Sequence, residues 1–176
     1  VEELSSQPNF GWTSWDCYRR FLQLWGMAHG ISRDEFDAII LDFKRRCDVS
    51  QKVDFTPDQM KSIAQTYKKC LDRHSVFIEE DPGEQLLHAI GLVVRSWDTT
   101  RARVYRQRLQ LADEWGTAVI VQSMVLGNLG FDSGTGAVFT DDPLVKKPGI
   151  HLYGDFTTTS QGEDVVAGLV HPFPIS

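Results

Sequence analysis

Val119-Ile-Val-Gln-Ser-Met-Val125 runs directly into Leu126-Gly-Asn-Leu-Gly-Phe-Asp-Ser-Gly-Thr-Gly-Ala-Val-Phe-Thr-Asp-Asp-Pro143. The β-branched composition of Thr117–Leu126 predicts one strand, and Ala137–Thr140 a second short one. Four glycines and the Asp132-Ser133 pair lie between them. Such a connection needs either positive φ or close approach of the backbone to a neighbour. The neighbour is the adjoining strand in a plain hairpin, or an anion in a phosphate cradle. No lysine follows the glycines as a P-loop requires, which favours the hairpin.

Working outward, Ile150 to about Thr159 predicts a third strand, with Asp142-Pro-Leu-Val-Lys-Lys-Pro-Gly149 as the loop before it. Gln161–Gly168 predicts the start of a short helix with Glu163 and Asp164 near its N-terminus. The tail from His171, with its two prolines, reads as irregular. Upstream, the period changes to that of helices. Trp15, Tyr18, Leu22 and Trp25 form an aromatic face that suits core packing, ended by Gly26 and Gly30. Three further helices open with capping patterns. Ser32-Arg-Asp-Glu35 predicts a box in which hydroxyl and carboxylate both satisfy free N–H groups, while Thr56-Pro-Asp-Gln59 and Asp81-Pro-Gly-Glu84 repeat the device.

From Thr99 to Leu109, Arg101, Arg103, Arg106 and Arg108 interleave with Val104, Tyr105 and Leu109. Four arginines in so short a helix form either a solvated face neutralised by Asp98, Asp113 and Glu114, or a docking surface for carboxylate or phosphate. The fold class is therefore α+β: a helical lobe over residues 1–112, followed by a small antiparallel β part over 113–176. Three strands make a thin sheet whose edges need further partners, so the β part is expected to be incomplete.

The 176 residues are 41% hydrophobic, as in an ordinary globular chain, and carry 18 basic against 24 acidic side chains, a net charge of −6. That balance argues against nonspecific nucleic-acid binding. No apolar run approaches the roughly 18 to 20 residues of a membrane span, so no membrane partner is expected. Cys17, Cys47 and Cys70 are an odd number without metal-ligand spacing, which points to a reducing, cytoplasmic setting, an organelle remaining open. His29, His74, His88, His151 and His171 are dispersed and read as unpaired with any cysteine, so zinc is not expected. Asp155 and Glu163 are candidates to hold Mg²⁺ together with nucleotide phosphates, or are ordinary solvated carboxylates. Met124 and Val125 are core residues or the wall of a base-binding pocket.

A string of motifs resembles the nucleotide-binding domain of pyruvate, phosphate dikinases. In order, they are Tyr18-Arg-Arg-Phe21, Arg95-Ser-Trp97 with Arg101 and Tyr105-Arg106, Trp115-Gly-Thr-Ala118, Met124-Val-Leu-Gly-Asn128, Ser133-Gly-Thr-Gly-Ala-Val-Phe-Thr140 and Gln161-Gly-Glu-Asp-Val-Val-Ala-Gly168. The resemblance covers almost the whole chain and implies a partial ATP-grasp-like domain, the middle of the family's first domain. It implies ATP and Mg²⁺ as cofactors, with adenine contacts at Gln122, Met124 and Val125, further nucleotide contacts at Glu163 and Asp164, and metal at Glu163. It assigns Arg101 and Asp155 to docking of the phosphohistidine domain. The family's phosphohistidine and pyruvate-binding domains are the implied partners, with a homodimer for the full-length enzyme. The family converts ATP, pyruvate and phosphate to AMP, phosphoenolpyruvate and pyrophosphate.

No residue of this chain is expected to be catalytic. The family's phosphate-holding Lys and Arg precede the matched region, and its acidic metal pair would follow Ser176. A fragment that is inactive alone is one expectation; a noncatalytic relative serving as a nucleotide-binding or protein-interaction module is the other. The second draws on two lost positive charges, since Asp141 and Val170 stand where the resemblance places arginine; separately, Asp155 stands where the family has glutamate.

Overall fold

A computed structural model describes residues 1–141, 149–166 and 171–175, apart from the side chains of Glu163 and Val166. Helix α1 (Glu2–Ser5) precedes α2 (Gly11–Ala28), α3 (Arg33–Cys47), α4 (Pro57–Arg73), α5 (Pro82–Ser96) and α6 (Thr100–Leu109). Strands β1 (Gly134–Phe139) and β2 (Tyr153–Thr158), helix α7 (Gly162–Val166) and strand β3 (Phe173–Ile175) follow. The α+β expectation holds, with helices first and one three-stranded antiparallel sheet after them, in the order β1-β2-β3.

The core lies within the helices. Trp15, Leu22 and Trp25 of α2 pack with Phe36 and Phe43 of α3 and with Met60, Ile63, Ala64, Tyr67, Cys70 and Leu71 of α4. The aromatic face of α2 is thus core, as its spacing predicts. The helix does not stop at Gly26, however. Gly26 is internal, and a Cβ there would lie 2.6 Å from Phe36 Cζ, so the glycine lets α3 approach rather than ending α2.

All three predicted residues cap their helices, but the reciprocal box is complete in only one of the three cases. Thr56 and Gln59 form the reciprocal box, with Gln59 N–H donating to Thr56 Oγ1 at 3.3 Å and Thr56 N–H to Gln59 Oε1 at 2.8 Å. Asp81 Oδ1 accepts from Glu84 N–H at 3.0 Å. Ser32 caps α3 through Asp34 N–H at 3.2 Å, but Glu35 does not turn back to complete that box. Its carboxylate instead accepts from His74 Nε2 at 2.8 Å, tying the start of α3 to the end of α4.

The predicted strand at Thr117–Leu126 is not formed. Among the described residues these pair with no neighbour, and Ile120, Val121, Met124 and Val125 are exposed. Strand conformation is stabilised by a ladder partner, and β-branched composition alone does not supply one. The sheet's third member is the tail segment Phe173–Ile175, read as irregular because of its prolines. Pro174 lies on an edge strand, where a missing N–H is tolerated, and pairs opposite Asp155. Helix α7 realises the predicted short helix. Apart from Gly149, the loop read at Asp142–Gly149 lies outside the described residues.

The glycines between Leu126 and Ala137 take no positive φ. They are required by close approach: a Cβ on Gly127 would stand 2.4 Å from the Ser160 carbonyl oxygen. Ser160 N–H donates to Gly127 O at 3.1 Å, and Thr159 N–H to Ser133 O at 2.8 Å. The glycines therefore admit the neighbouring backbone of Thr159–Ser160, and the segment is not a plain hairpin connection, because the strand expected before it is not formed.

Candidate functional site

Residues Thr13, Asp16, Arg19 and Arg20 share one side of α2, at spacings of three and four, so their side chains converge beside the apolar face. Asp16 is fully buried. Arg19 Nε donates to its Oδ1 at 3.0 Å and Arg20 Nε to its Oδ2 at 2.9 Å, while Lys52 Nζ stands 3.5 Å from Oδ1. Arg20 then reaches across to α7, with Nη2 donating to Asp164 Oδ2 at 2.6 Å. Lys52 Nζ is 3.6 Å from the same oxygen.

Asn128 connects this cluster to the glycine-rich segment. Its Nδ2 donates to Asp16 Oδ2 at 3.1 Å, its Oδ1 accepts from Gln161 Nε2 at 3.0 Å, and its carbonyl accepts from Thr13 Oγ1 at 2.7 Å. Helix α2, the Lys52–Asp54 turn, the 127–128 segment and α7 are thereby joined through buried charge.

Burial by itself would push the Asp16 carboxyl up, but Arg19, Lys52 and Arg20 outweigh it and hold the group well below the usual carboxylate range. Burial also acts to lower Arg20, and its two carboxylates reverse that, keeping the guanidinium charged. Lys52 is lowered, because burial and the two arginines exceed the pull of Asp16 and Asp164. Tyr67 is pushed up to about 12 by burial, and its hydroxyl donates to Phe36 O at 2.9 Å. Each buried charge has a partner, as burial demands.

The structure disperses the residues singled out from sequence. Gln122, Met124 and Val125 sit in the unpaired segment, the last two 63% and 89% exposed. Asp164 is buried and engaged by Arg20 rather than directed at a ligand. Glu163 lies in α7, and its side chain is outside the described residues. Asp155 is exposed on β2 between Ala137 and Pro174, and Arg101 is exposed in the first turn of α6.

Helix α6 divides its arginines. Arg106 is buried against Trp97, its guanidinium carbon 4.1 Å from the ring centroid, and its Nε donates to Asp113 Oδ1 at 2.7 Å. Arg101, Arg103 and Arg108 remain on the surface.

Two features escape the sequence patterns. One is the Asp16–Arg20–Asp164 cluster, whose signal is the polar stripe Asp16, Arg19, Arg20 and Gln23 running beside the aromatic one. The other is Cys70 of α4 and His74 at its C-cap, one helical turn apart, although the spacing of the histidines suggests no pairing with cysteine. Among the described residues, Glu35, Cys70 and His74 bring a carboxylate, a thiol and an imidazole within 4.8 Å of one another.

The helical lobe, the thin sheet and a buried ionic joint between them define a partial nucleotide-binding lobe. Residues 74–174 match the family described as pyruvate phosphate dikinase, AMP/ATP-binding domain, and the chain belongs to that family. It is 39% identical to the pyruvate, phosphate dikinase of Clostridium symbiosum over 98% of its own length and 20% of that protein's. It is 40% identical to the Giardia intestinalis pyruvate, phosphate dikinase over 90% of this chain and 18% of the relative. To the chloroplastic enzyme of Flaveria trinervia the identity is 38%, over 90% of this chain and 17% of the relative. The chain thus spans about a fifth of the length of these relatives.

Proposed function

We propose that this chain is a segment of the nucleotide-binding domain of a pyruvate, phosphate dikinase, an enzyme forming AMP, phosphoenolpyruvate and pyrophosphate from ATP, pyruvate and phosphate. The observation that carries the proposal is the collinear likeness to such enzymes over nearly the whole chain. Residues 1–112 act as a helical support and residues 113–176 as part of the nucleotide-facing sheet. The run Val119–Val125, largely exposed, supports an adenine-binding role, since an apolar segment whose backbone is unpaired among the described residues offers both backbone hydrogen bonds and apolar walls to a flat base. Glu163 is the proposed acid toward Mg²⁺ and phosphate. Arg101 and Asp155, both exposed, face the phosphohistidine domain, and the full-length enzyme is a homodimer.

Titration of the chain with adenosine and with ATP, followed by backbone amide shifts, tests the nucleotide reading. Millimolar binding of both, on the order of −4 kcal/mol, with shifts centred on Gln122–Val125, is expected. Shifts confined to other residues would remove the adenine assignment. A second reading, a noncatalytic relative used as a nucleotide-binding or interaction module, is favoured by the negative charge of Asp141 beside the sheet. Metal-dependent formation of AMP and pyrophosphate by the complete protein would exclude it.

A further inference from the structure

We propose that Glu35, Cys70 and His74 form a zinc-class metal site that fastens the start of α3 to the end of α4. The site is remote in sequence from the proposed adenine contacts and does not depend on the nucleotide reading. Cys70 and His74 are four residues apart, which places both on one side of the last turns of α4. Glu35 arrives from the first turn of α3. Its Oε2 is 2.8 Å from His74 Nε2 and 3.8 Å from Cys70 Sγ, and all three donor atoms lie within 4.8 Å of one another.

Metal–ligand bonds of 2.0–2.3 Å in a tetrahedron require ligand separations of about 3.3–3.8 Å. The sulfur–oxygen distance already meets that requirement. The nitrogen–oxygen pair has to open by only about half an ångström, by giving up one hydrogen bond.

The donor set selects the ion. A thiolate, an imidazole and one carboxylate suit Zn²⁺ and related borderline metals, whereas Mg²⁺ and Ca²⁺ take oxygen ligands. Cys70 is buried, while Glu35 and His74 are exposed above it, so an ion enters from solvent and keeps a fourth position toward water. Burial raises the Cys70 thiol, so metal entry must displace its proton to solvent, one per ion bound. The Arg73 guanidinium also reaches Cys70 and has to turn aside, toward the groove that it and Glu35 border. Position in the helices favours the cation, because His74 caps the negative end of the α4 dipole.

The use of Glu35 here accounts for its failure to complete the box at Ser32. Its carboxylate serves a contact between helices instead of its own N-terminus. A bound ion would reinforce the adjoining link between these helices, the Tyr67 hydroxyl to the Phe36 carbonyl.

The test is titration of the reduced, metal-free chain with Zn²⁺, and with Co²⁺ as a spectroscopic substitute. One ion per chain, one proton released, a thiolate-to-cobalt charge-transfer band and a raised melting temperature are expected. His74→Gln and Glu35→Gln change exposed side chains, so both should keep the helical circular dichroism while weakening binding by about tenfold or more. Cys70→Ser should abolish the charge-transfer band. Absence of stoichiometric binding would overturn the proposal. Binding of unchanged strength in His74→Gln would also overturn it, placing the ion elsewhere, for example on the half-buried Cys17 or Cys47.

Discussion

Arg20 and Asp164, 144 positions apart in sequence, meet at 2.6 Å and connect the long aromatic helix to the short helix beside the sheet. Among the described residues the buried apolar core lies within residues 15–71, so this ion pair and the Asn128 contacts carry much of the attachment of the β part. Asp164→Asn leaves part of the Arg20 charge buried without its partner, and such a loss costs about 3 kcal/mol. Urea unfolding should show that drop, with amide exchange accelerating in β1 and β2 more than in α4. A loss confined to a few tenths of a kcal/mol would mean that the other partners of Arg20, Asp16 among them, satisfy it without Asp164.

Acid should weaken the same cluster in a defined direction. The folded carboxyl of Asp16 lies below its unfolded value, so its contribution is complete above about pH 5 and fades as pH falls toward the folded value. Asp16→Asn should lower stability at pH 7 and flatten its decline between pH 5 and pH 2. Lys52 acts in the opposite sense. Its folded value is lowered, so the charged amine costs stability below that value, and the cost is relieved as pH rises toward the unfolded value. Urea midpoints of Lys52→Met and the parent protein, compared at pH 7 and pH 10, should therefore converge at the higher pH.

At Gly127 the backbones themselves leave no room. A Cβ there would lie 2.4 Å from Ser160 O and 2.9 Å from Gly134 O, and neither carbonyl can swing away as a flexible side chain would. Gly127→Ala should destabilise the chain by about 1–3 kcal/mol. It should also disturb the amide signals of Ser160 and Gln161, next to α7. A neutral substitution at this position would show that the segment bends easily and that the buried joint tolerates movement.

The helices are legible in the sequence because two local signals agree: the 3.6-residue period of Met60, Ile63, Ala64, Tyr67 and Leu71, and the Thr56–Gln59 box that starts it. Elements that depend on distant partners are less so. Val119–Val125 has strand composition, yet a strand exists only where another backbone pairs with it. Phe173–Ile175 contains a proline and still pairs, because β2 is there to receive it. The same distinction holds for charge. The period along α2 gives the alignment of Asp16 with Arg20, but nothing local indicates that Asp164 completes the cluster. Glu35 shows a local rule overridden, its carboxylate drawn from the cap of α3 to His74.

Arg101 and Asp155 provide the test of the proposed docking role. Both are exposed, on α6 and β2, and neither forms an ion pair among the described residues, in contrast to Arg106, which is buried against Trp97. Rim charges of this kind set the orientation and rate of a reversible encounter more than its strength. In the complete enzyme, Arg101→Glu should slow phosphoryl transfer between nucleotide and histidine, and added salt should slow it less than it slows the parent, while leaving the pyruvate half-reaction intact. Arg106→Glu serves as the contrast: it places a carboxylate against Asp113 and Trp97, damages the fold and should reduce both half-reactions together. Equal slowing of both half-reactions by Arg101→Glu would place this arginine with Arg106, as a residue of the fold rather than of the docking surface.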